Sequence, residues 1–170
     1  MRIGLISDTH IEDPEEDLPD RVYDIFHSVD FILHAGDIYV TQVLDRLERI
    51  APLAAVEGNG EWDRGVKDSR LADARVLTLE GLRVGLRHAI VYPERPPEWT
   101  LESEMRRCFG GTVNVIVVGD THVALIEECR GVLIVNPGSP TWPNNYKKQP
   151  GTVGILEIVN ARASASIIQL

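Results

Sequence analysis

The sequence predicts an α/β fold on three observations. Short apolar runs alternate with amphipathic stretches from Met1 to about Val56, four separated apolar runs end in polar groups suited to metals, and the chain after Gly110 is rich in strand patterns. With 170 residues the chain can bury one substantial core and is too short for two ordinary domains, so one domain spanning 1–170 is expected.

Ile3-Gly4-Leu5-Ile6 forms the first expected strand and delivers Asp8 and His10 at its carboxyl end. Leu18, Val22, Ile25, Phe26 and Val29 recur at helical spacing, with Pro19 suited to the first turn. Phe31 to Leu33 forms the second strand, ahead of His34-Ala35-Gly36-Asp37. Val43, Leu44, Leu47 and Ile50 mark a second helix, with Thr41 as cap and Pro52 as stop. Leu53 to Val56, ahead of Gly58-Asn59, is the third strand. Such βαβαβ order implies parallel pairing through right-handed crossovers, which gathers ligands at the carboxyl ends of strands.

Gly60 to Ala74 is polar and is expected to run over the surface, able to close over a substrate. Arg75 to His88 has the pattern of a hairpin turning at Glu80-Gly81, its second strand ending in histidine. Pro93, Pro96 and Pro97 break the chain before a helix from Glu98 to Phe109, which places Trp99, Leu101, Met105, Cys108 and Phe109 largely on one side and stops at Gly110-Gly111. Further strands are expected at Val113–Val118, Val123–Glu127, Val132–Val135, Val153–Ile158 and Ala163–Gln169. Between Asn136 and Gly151 lies a proline-rich loop that also holds Ser139, Asn144, Asn145, Lys147 and Lys148.

Composition narrows the function classes. A hydrophobic share of 44% with 25% charged residues is ordinary for a globular protein, which argues against disorder and against a membrane protein. No apolar run approaches the roughly 20 residues that cross a bilayer, and the first one meets Asp8 too soon for a signal peptide. A cytoplasmic protein is expected. The net charge of −9 argues against a general nucleic-acid groove, though bound cations would reverse the local sign at a small phosphorylated substrate. Cys108 and Cys129 lack paired spacing and are expected as buried free thiols.

The candidate metal ligands are Asp8, His10, Asp37, Asn59, His88, Asp120 and His122. Carboxylate, imidazole and amide donors without thiolate suit manganese, iron, zinc or nickel better than calcium or magnesium alone. Seven ligands exceed what one ion takes from protein while leaving room for substrate, so two ions with Asp37 between them are the natural expectation. Two cations about 3.5–4 Å apart clamp the attacking and leaving oxygens of an in-line phosphoryl displacement, and a hydroxide held between them attacks phosphorus. Taken singly the residues have ordinary explanations: Asp8 as a cap, Asn59 in a turn, His88 at a strand end. His34 is expected to buttress the site and His27 to lie on a helix surface. The acids between Glu12 and Asp20 suit a solvated loop and helix start. Trp62 and Trp142, both assigned to loops, either line a substrate mouth or pack. Lys147 and Lys148 are expected as solubility residues.

Asp8-Thr9-His10, Gly36-Asp37, Gly58-Asn59, His88, Gly119-Asp120-Thr121-His122 and Asn136-Pro137-Gly138-Ser139-Pro140, in that order, resemble the motifs of the calcineurin-like metallophosphoesterases. The short chain is most similar to the small phosphodiesterase branch that includes the retromer subunit of similar fold. The resemblance implies a two-sheet β-sandwich flanked by helices, with a site that hydrolyses small phosphate esters and uses two divalent ions. Manganese is the foremost choice, with nickel, zinc, iron or magnesium as alternatives. It implies that Asp8, His10 and His122 hold one ion, that Asp37 bridges, and that Asn59, His88 and Asp120 hold the other. Asp37, Asn59 and His88 stand closest to the chemistry.

The chain departs from that pattern at four places. Asp120 stands where the family usually has histidine, Gly60 where larger relatives carry a histidine that protonates the leaving group, Ala89 where glycine is usual, and Asn144-Asn145 where an arginine often follows the loop. These changes motivate the alternative of a non-catalytic binding or scaffold module with a weakened second metal site. Whether the chain forms a homo-oligomer is left open.

Overall fold

Two mixed sheets of five strands face one another, and helices cover their outer surfaces. The computed structural model describes residues 1–91, 100–146 and 149–170. Pro93, Pro96, Pro97, Glu98, Trp99, Lys147 and Lys148 therefore lie outside the described residues.

In the first sheet β1 (Arg2–Ile6) pairs in parallel with β2 (Phe31–His34), Leu5 opposite Leu33, and β2 pairs in parallel with β3 (Leu53–Ala55). Helices α1 (Asp20–Phe26) and α2 (Gln42–Glu48) make the crossovers, as the sequence predicts. After β3 comes α3 (Asn59–Arg64), then the hairpin of β4 (Ala74–Leu79) and β5 (Leu82–Arg87). Its turn residues Glu80 and Gly81 both have positive φ, 47° and 82°, which matches the right-handed twist of the flanking strands. Next come α4 (Leu101–Phe109), β6 (Val115–Val117), β7 (Leu125–Cys129) and β8 (Val132–Asn136). In the second sheet β5, β6 and β8 run parallel, while β4 and β7 form antiparallel edges. The chain closes with β9 (Thr152–Val159), antiparallel to β1, and β10 (Arg162–Gln169), which completes the first sheet.

Strand alternation explains the core. Ile3, Leu5 and Leu33 meet Val84, Leu86, Val115 and Val117 between the sheets. Ile6 and Ile32 face outward under Val22, Phe26, Val43 and Leu44, and Ile116 and Ile134 face outward under Leu101, Met105 and Phe109. Both faces of the central strands are thus buried, which accounts for their continuous apolar runs. The same packing device appears on each sheet: a β-carbon at Gly4 would lie 3.0 Å from the Phe26 ring, and one at Gly85 would lie 2.8 Å from the Phe109 ring.

Several sequence expectations are corrected. Pro19 flanks α1 at the cap position and does not enter its first turn. Thr41 stands at the cap position of α2 but makes no side-chain cap bond, because its own backbone is already helical. Val123 precedes β7, which starts at Leu125, and Cys129 is only half-buried, although both cysteines are free as expected. The largest difference concerns the polar stretch after Gly58. Its first residues form α3 and bury Glu61 completely, so Trp62 lies on a helix and not in a loop.

Candidate metal centre

Each predicted ligand leaves the carboxyl end of a parallel strand. Asp8 and His10 follow β1, Asp37 follows β2, Asn59 opens α3 after β3, His88 follows β5, and Asp120 and His122 follow β6. Five of the seven have left-handed backbones: φ is 53° at Asp8, 46° at His10, 54° at Asp37, 71° at Asp120 and 59° at His122. That region costs a residue bearing a β-carbon roughly 1–2 kcal/mol. Surrounding bonds hold it in place: the Asp8 N–H donates to the Gly36 carbonyl at 2.9 Å, and the His10 N–H to the Asp37 carbonyl at 3.0 Å.

The side chains form two clusters that share Asp37. In the first, His10 Nε2 lies 3.0 Å from His122 Nε2, 3.6 Å from Asp37 Oδ2 and 3.9 Å from Asp8 Oδ1, and His122 Nε2 lies 3.6 Å from Asp8 Oδ1. Donors held at about 2.1 Å from one ion stand about 3.0 Å apart at right angles and about 3.4 Å apart in a tetrahedron, so these spacings fit one cation with little adjustment. In the second, His88 Nε2 lies 3.1 Å from Asn59 Oδ1 and 3.6 Å from both Asp37 Oδ1 and Asp120 Oδ1. All seven residues are therefore brought together.

Hydrogen bonds set which histidine atoms face the clusters. His122 Nδ1 bonds the Trp142 carbonyl at 3.1 Å and His88 Nδ1 bonds the Ala35 carbonyl at 2.7 Å. A carbonyl only accepts, so each Nδ1 carries the proton and each Nε2 presents a lone pair. His10 Nδ1 is buried without a hydrogen-bond partner among the described residues. His34 acts one layer out: its Nδ1 accepts from the Gly36 N–H at 3.2 Å, its Nε2 meets the Thr9 hydroxyl at 3.3 Å, and that hydroxyl donates to the Asp37 carbonyl at 3.3 Å. Burial pushes His34 down to about 3, so it stays neutral in this chain of bonds.

Two supports come from the motif that begins at the last residue of β8. Ser139 donates to the Asp8 carbonyl at 2.7 Å, and Asn136 donates to the Gly119 carbonyl at 2.7 Å. Gly119 itself is required by close approach, because a β-carbon there would lie 1.9 Å from Ser7 Oγ. A third support was invisible to periodicity. Buried Glu61 accepts the N–H groups of Ile38 (2.7 Å) and Tyr39 (2.8 Å) on Oε1, and of Asp37 (3.0 Å) and Gly58 (2.7 Å) on Oε2. One carboxylate thereby ties the Asp37 turn to the start of α3. The available signal was a glutamate three residues after Gly58, the spacing of a capping box.

Burial favours the neutral forms of Asp8, His10 and His122 when no cation is present. Burial pushes the Asp8 carboxyl up to about 7, against the opposing pull of His88 and the Ser7 hydroxyl that donates to Oδ2. Burial also pushes His10 down to about 4 and lowers His122. His10 is thus already free of a second proton near neutrality, whereas Asp8 must lose one to ligate a cation. Manganese affinity is therefore expected to rise with pH through about 7 and to weaken below it; calorimetric titrations between about pH 6 and 8, with proton release counted by buffer exchange, check this. Asp120 and Asn59 are the exposed members of the set, the Asp120 side chain to 49%. The Asp120 backbone N–H nevertheless donates to Asp8 Oδ1 at 3.1 Å, linking the two clusters.

Comparisons with known proteins bear on the family of the chain. A family model described as a calcineurin-like phosphoesterase superfamily domain matches residues 1–161. A probable metallophosphoesterase of Methanothermobacter thermautotrophicus is 36% identical over 171 residues, covering 99% of this chain and 92% of the relative. A phosphodiesterase of Methanocaldococcus jannaschii is 26% identical, covering 92% of this chain and 93% of the relative. The structure of vacuolar protein sorting 29 from Cryptosporidium parvum matches with a TM-score of 0.74 at 18% identity, covering 99% of this chain and 97% of that one, a likeness of fold alone.

Proposed function

The chain belongs to the calcineurin-like phosphoesterase superfamily, and from that membership we propose that it is a phosphodiesterase dependent on two divalent cations. The observation that carries this reading is the Asp37 carboxylate, whose Oδ2 faces His10 while Oδ1 faces His88. Asp8, His10 and His122 would hold one cation with Asp37, and Asn59, His88 and Asp120 the other.

Nitrogen and oxygen donors without sulfur favour manganese, with nickel, zinc, iron or magnesium as alternatives. Bound cations supply Lewis-acid polarisation of the phosphoryl oxygens and acidify water enough for attack on phosphorus near neutral pH. The residues of the chain do the rest. Trp142 and Ala35 hold His122 and His88 with Nε2 inward, Glu61 fixes the turn that aims Asp37, and ionised Asp8 balances cationic charge. Gly60 offers no proton to a leaving group, so diesters with acidic leaving groups are expected to turn over fastest.

The test is hydrolysis of bis-p-nitrophenyl phosphate by protein supplied with manganese, nickel, zinc or magnesium. Turnover that a chelator removes and added metal restores supports the proposal; no metal-dependent turnover of any phosphodiester or monoester sinks it.

One observation favours a second reading, a binding or scaffold module of the same fold. Val123, Leu125 and Ile126 are 47%, 39% and 42% exposed beside and on the edge strand β7, which leaves large apolar side chains at the surface along that edge. Protein that binds one ion or none and turns over no ester would fit that module.

A further inference from the structure

We propose that the cleft beside Asn59 and His88 is a base-binding subsite, in which Trp62 stacks on a nucleobase carried by the diester and Glu57 accepts N–H donors from its edge. The inference rests on the phosphodiesterase reading, to which it adds a substrate class.

Helical spacing starts the argument. Trp62 follows Asn59 by three residues on α3, which places the indole on the same side as the Asn59 amide, while Glu61 turns inward and is fully buried. Trp62 is 59% exposed, which leaves an indole face open to stack on a planar ring. It borders a cavity of about 150 Å³ that Asn59 and His88 also line. That is small beside the roughly 300–1,000 Å³ of pockets that enclose whole drug-sized ligands, so it suits one ring system rather than a whole nucleotide. A group seated there adjoins the atoms that would hold the phosphoryl group.

Charge then selects the kind of ring. Arg87 lines the cavity but is tied to Asp73 at 2.9 Å, so its charge is already matched. Glu57 also lines the cavity, and its carboxylate makes no hydrogen bond among the described residues, although its backbone N–H bonds the Ala72 carbonyl at 3.0 Å. Two acids against one arginine leave the wall negative, which repels a second phosphate and attracts N–H donors. A planar aromatic face with donors on its edge is the chemistry of a nucleobase. Guanine, with adjacent ring and exocyclic N–H groups, matches a carboxylate best.

The experiment compares guanosine 5′-monophosphate with ribose 5-phosphate, which share sugar and phosphate and differ only in the base. Dissociation constants are measured by calorimetry on manganese-loaded protein, and inhibition constants against bis-p-nitrophenyl phosphate. The wild type is expected to bind the nucleotide roughly tenfold or more tightly than the sugar phosphate. In Trp62→Ala that ratio falls toward one, in Trp62→Phe most of it remains, and in Glu57→Gln it drops severalfold. A wild-type ratio near one, or a ratio that Trp62→Ala leaves intact, overturns the subsite. If manganese-dependent hydrolysis occurs without base preference, the subsite alone fails. If the Trp62-dependent preference appears in calorimetry without any hydrolysis, the subsite stands and the phosphodiesterase reading fails.

Discussion

Replacing Asp37 with alanine is expected to lower kcat/KM for bis-p-nitrophenyl phosphate by on the order of 10³-fold or more. Both carboxylate oxygens are engaged: Oδ2 lies 3.6 Å from His10 Nε2, while Oδ1 lies 3.6 Å from His88 Nε2 and accepts the Gly60 N–H at 2.8 Å. Alanine removes the one group that belongs to both clusters and leaves two sets of donors with nothing between them. The backbone around the position should persist, because the Asp37 N–H and carbonyl are held by Glu61, His10 and Thr9 independently of its side chain. The variant should therefore fold while losing bound manganese, which separates this loss from simple unfolding. Retention of more than about a tenth of the activity would remove Asp37 from the centre of the account.

The second large effect is expected on stability. Glu61→Ala strips acceptors from four N–H groups in a site that water does not reach, at about 1–3 kcal/mol for each group that finds no new partner. With partial relaxation the total is about 4 kcal/mol, a large share of the roughly 5–15 kcal/mol that holds a domain folded. For a chain of this size each kcal/mol moves the midpoint by about 2–4 °C, so Tm should fall by about 10 °C. Glu61→Gln keeps one carbonyl oxygen and turns an amide N–H₂ toward the remaining donors, so it should recover only part of the loss. Metal affinity should fall in both variants, because the Asp37 turn and the start of α3 are no longer tied together. A Tm within about 2 °C of wild type for the alanine variant would show that the carboxylate is not the tie described.

Sequence reasoning reaches the parallel core and the side chains that gather at its strand ends because both rest on local pattern. Apolar runs buried on both faces and punctuated by Asp8, Asp37 and Asn59 announce strands whose ends converge, and the spacing of Val22 with Phe26 or Val43 with Leu47 announces the helices that cover them. Glu61 and the helix that carries Trp62 escaped for a physical reason. A six-residue helix is too short to show a period, and a charged residue inside a polar stretch looks solvated until four backbone donors are found aimed at it. Gly4 and Gly85 are similar cases, since the need for glycine comes from Phe26 and Phe109 on distant helices. The pairing of β9 with β1, which closes the first sheet, joins opposite ends of the chain and leaves no local mark.

The departure at Asp120 bears directly on how many cations the site holds. Its exposed carboxylate reaches within 3.6 Å of His88, so a second ion would have Asp37, Asn59, His88 and Asp120 as donors. The most direct test is a titration of chelator-stripped protein with manganese, following bis-p-nitrophenyl phosphate hydrolysis and bound metal together. Two-cation catalysis predicts no turnover in the stripped protein and activity that reaches its plateau only as the second equivalent binds. Binding of a single ion with full activity, or of two ions with no turnover, would contradict it.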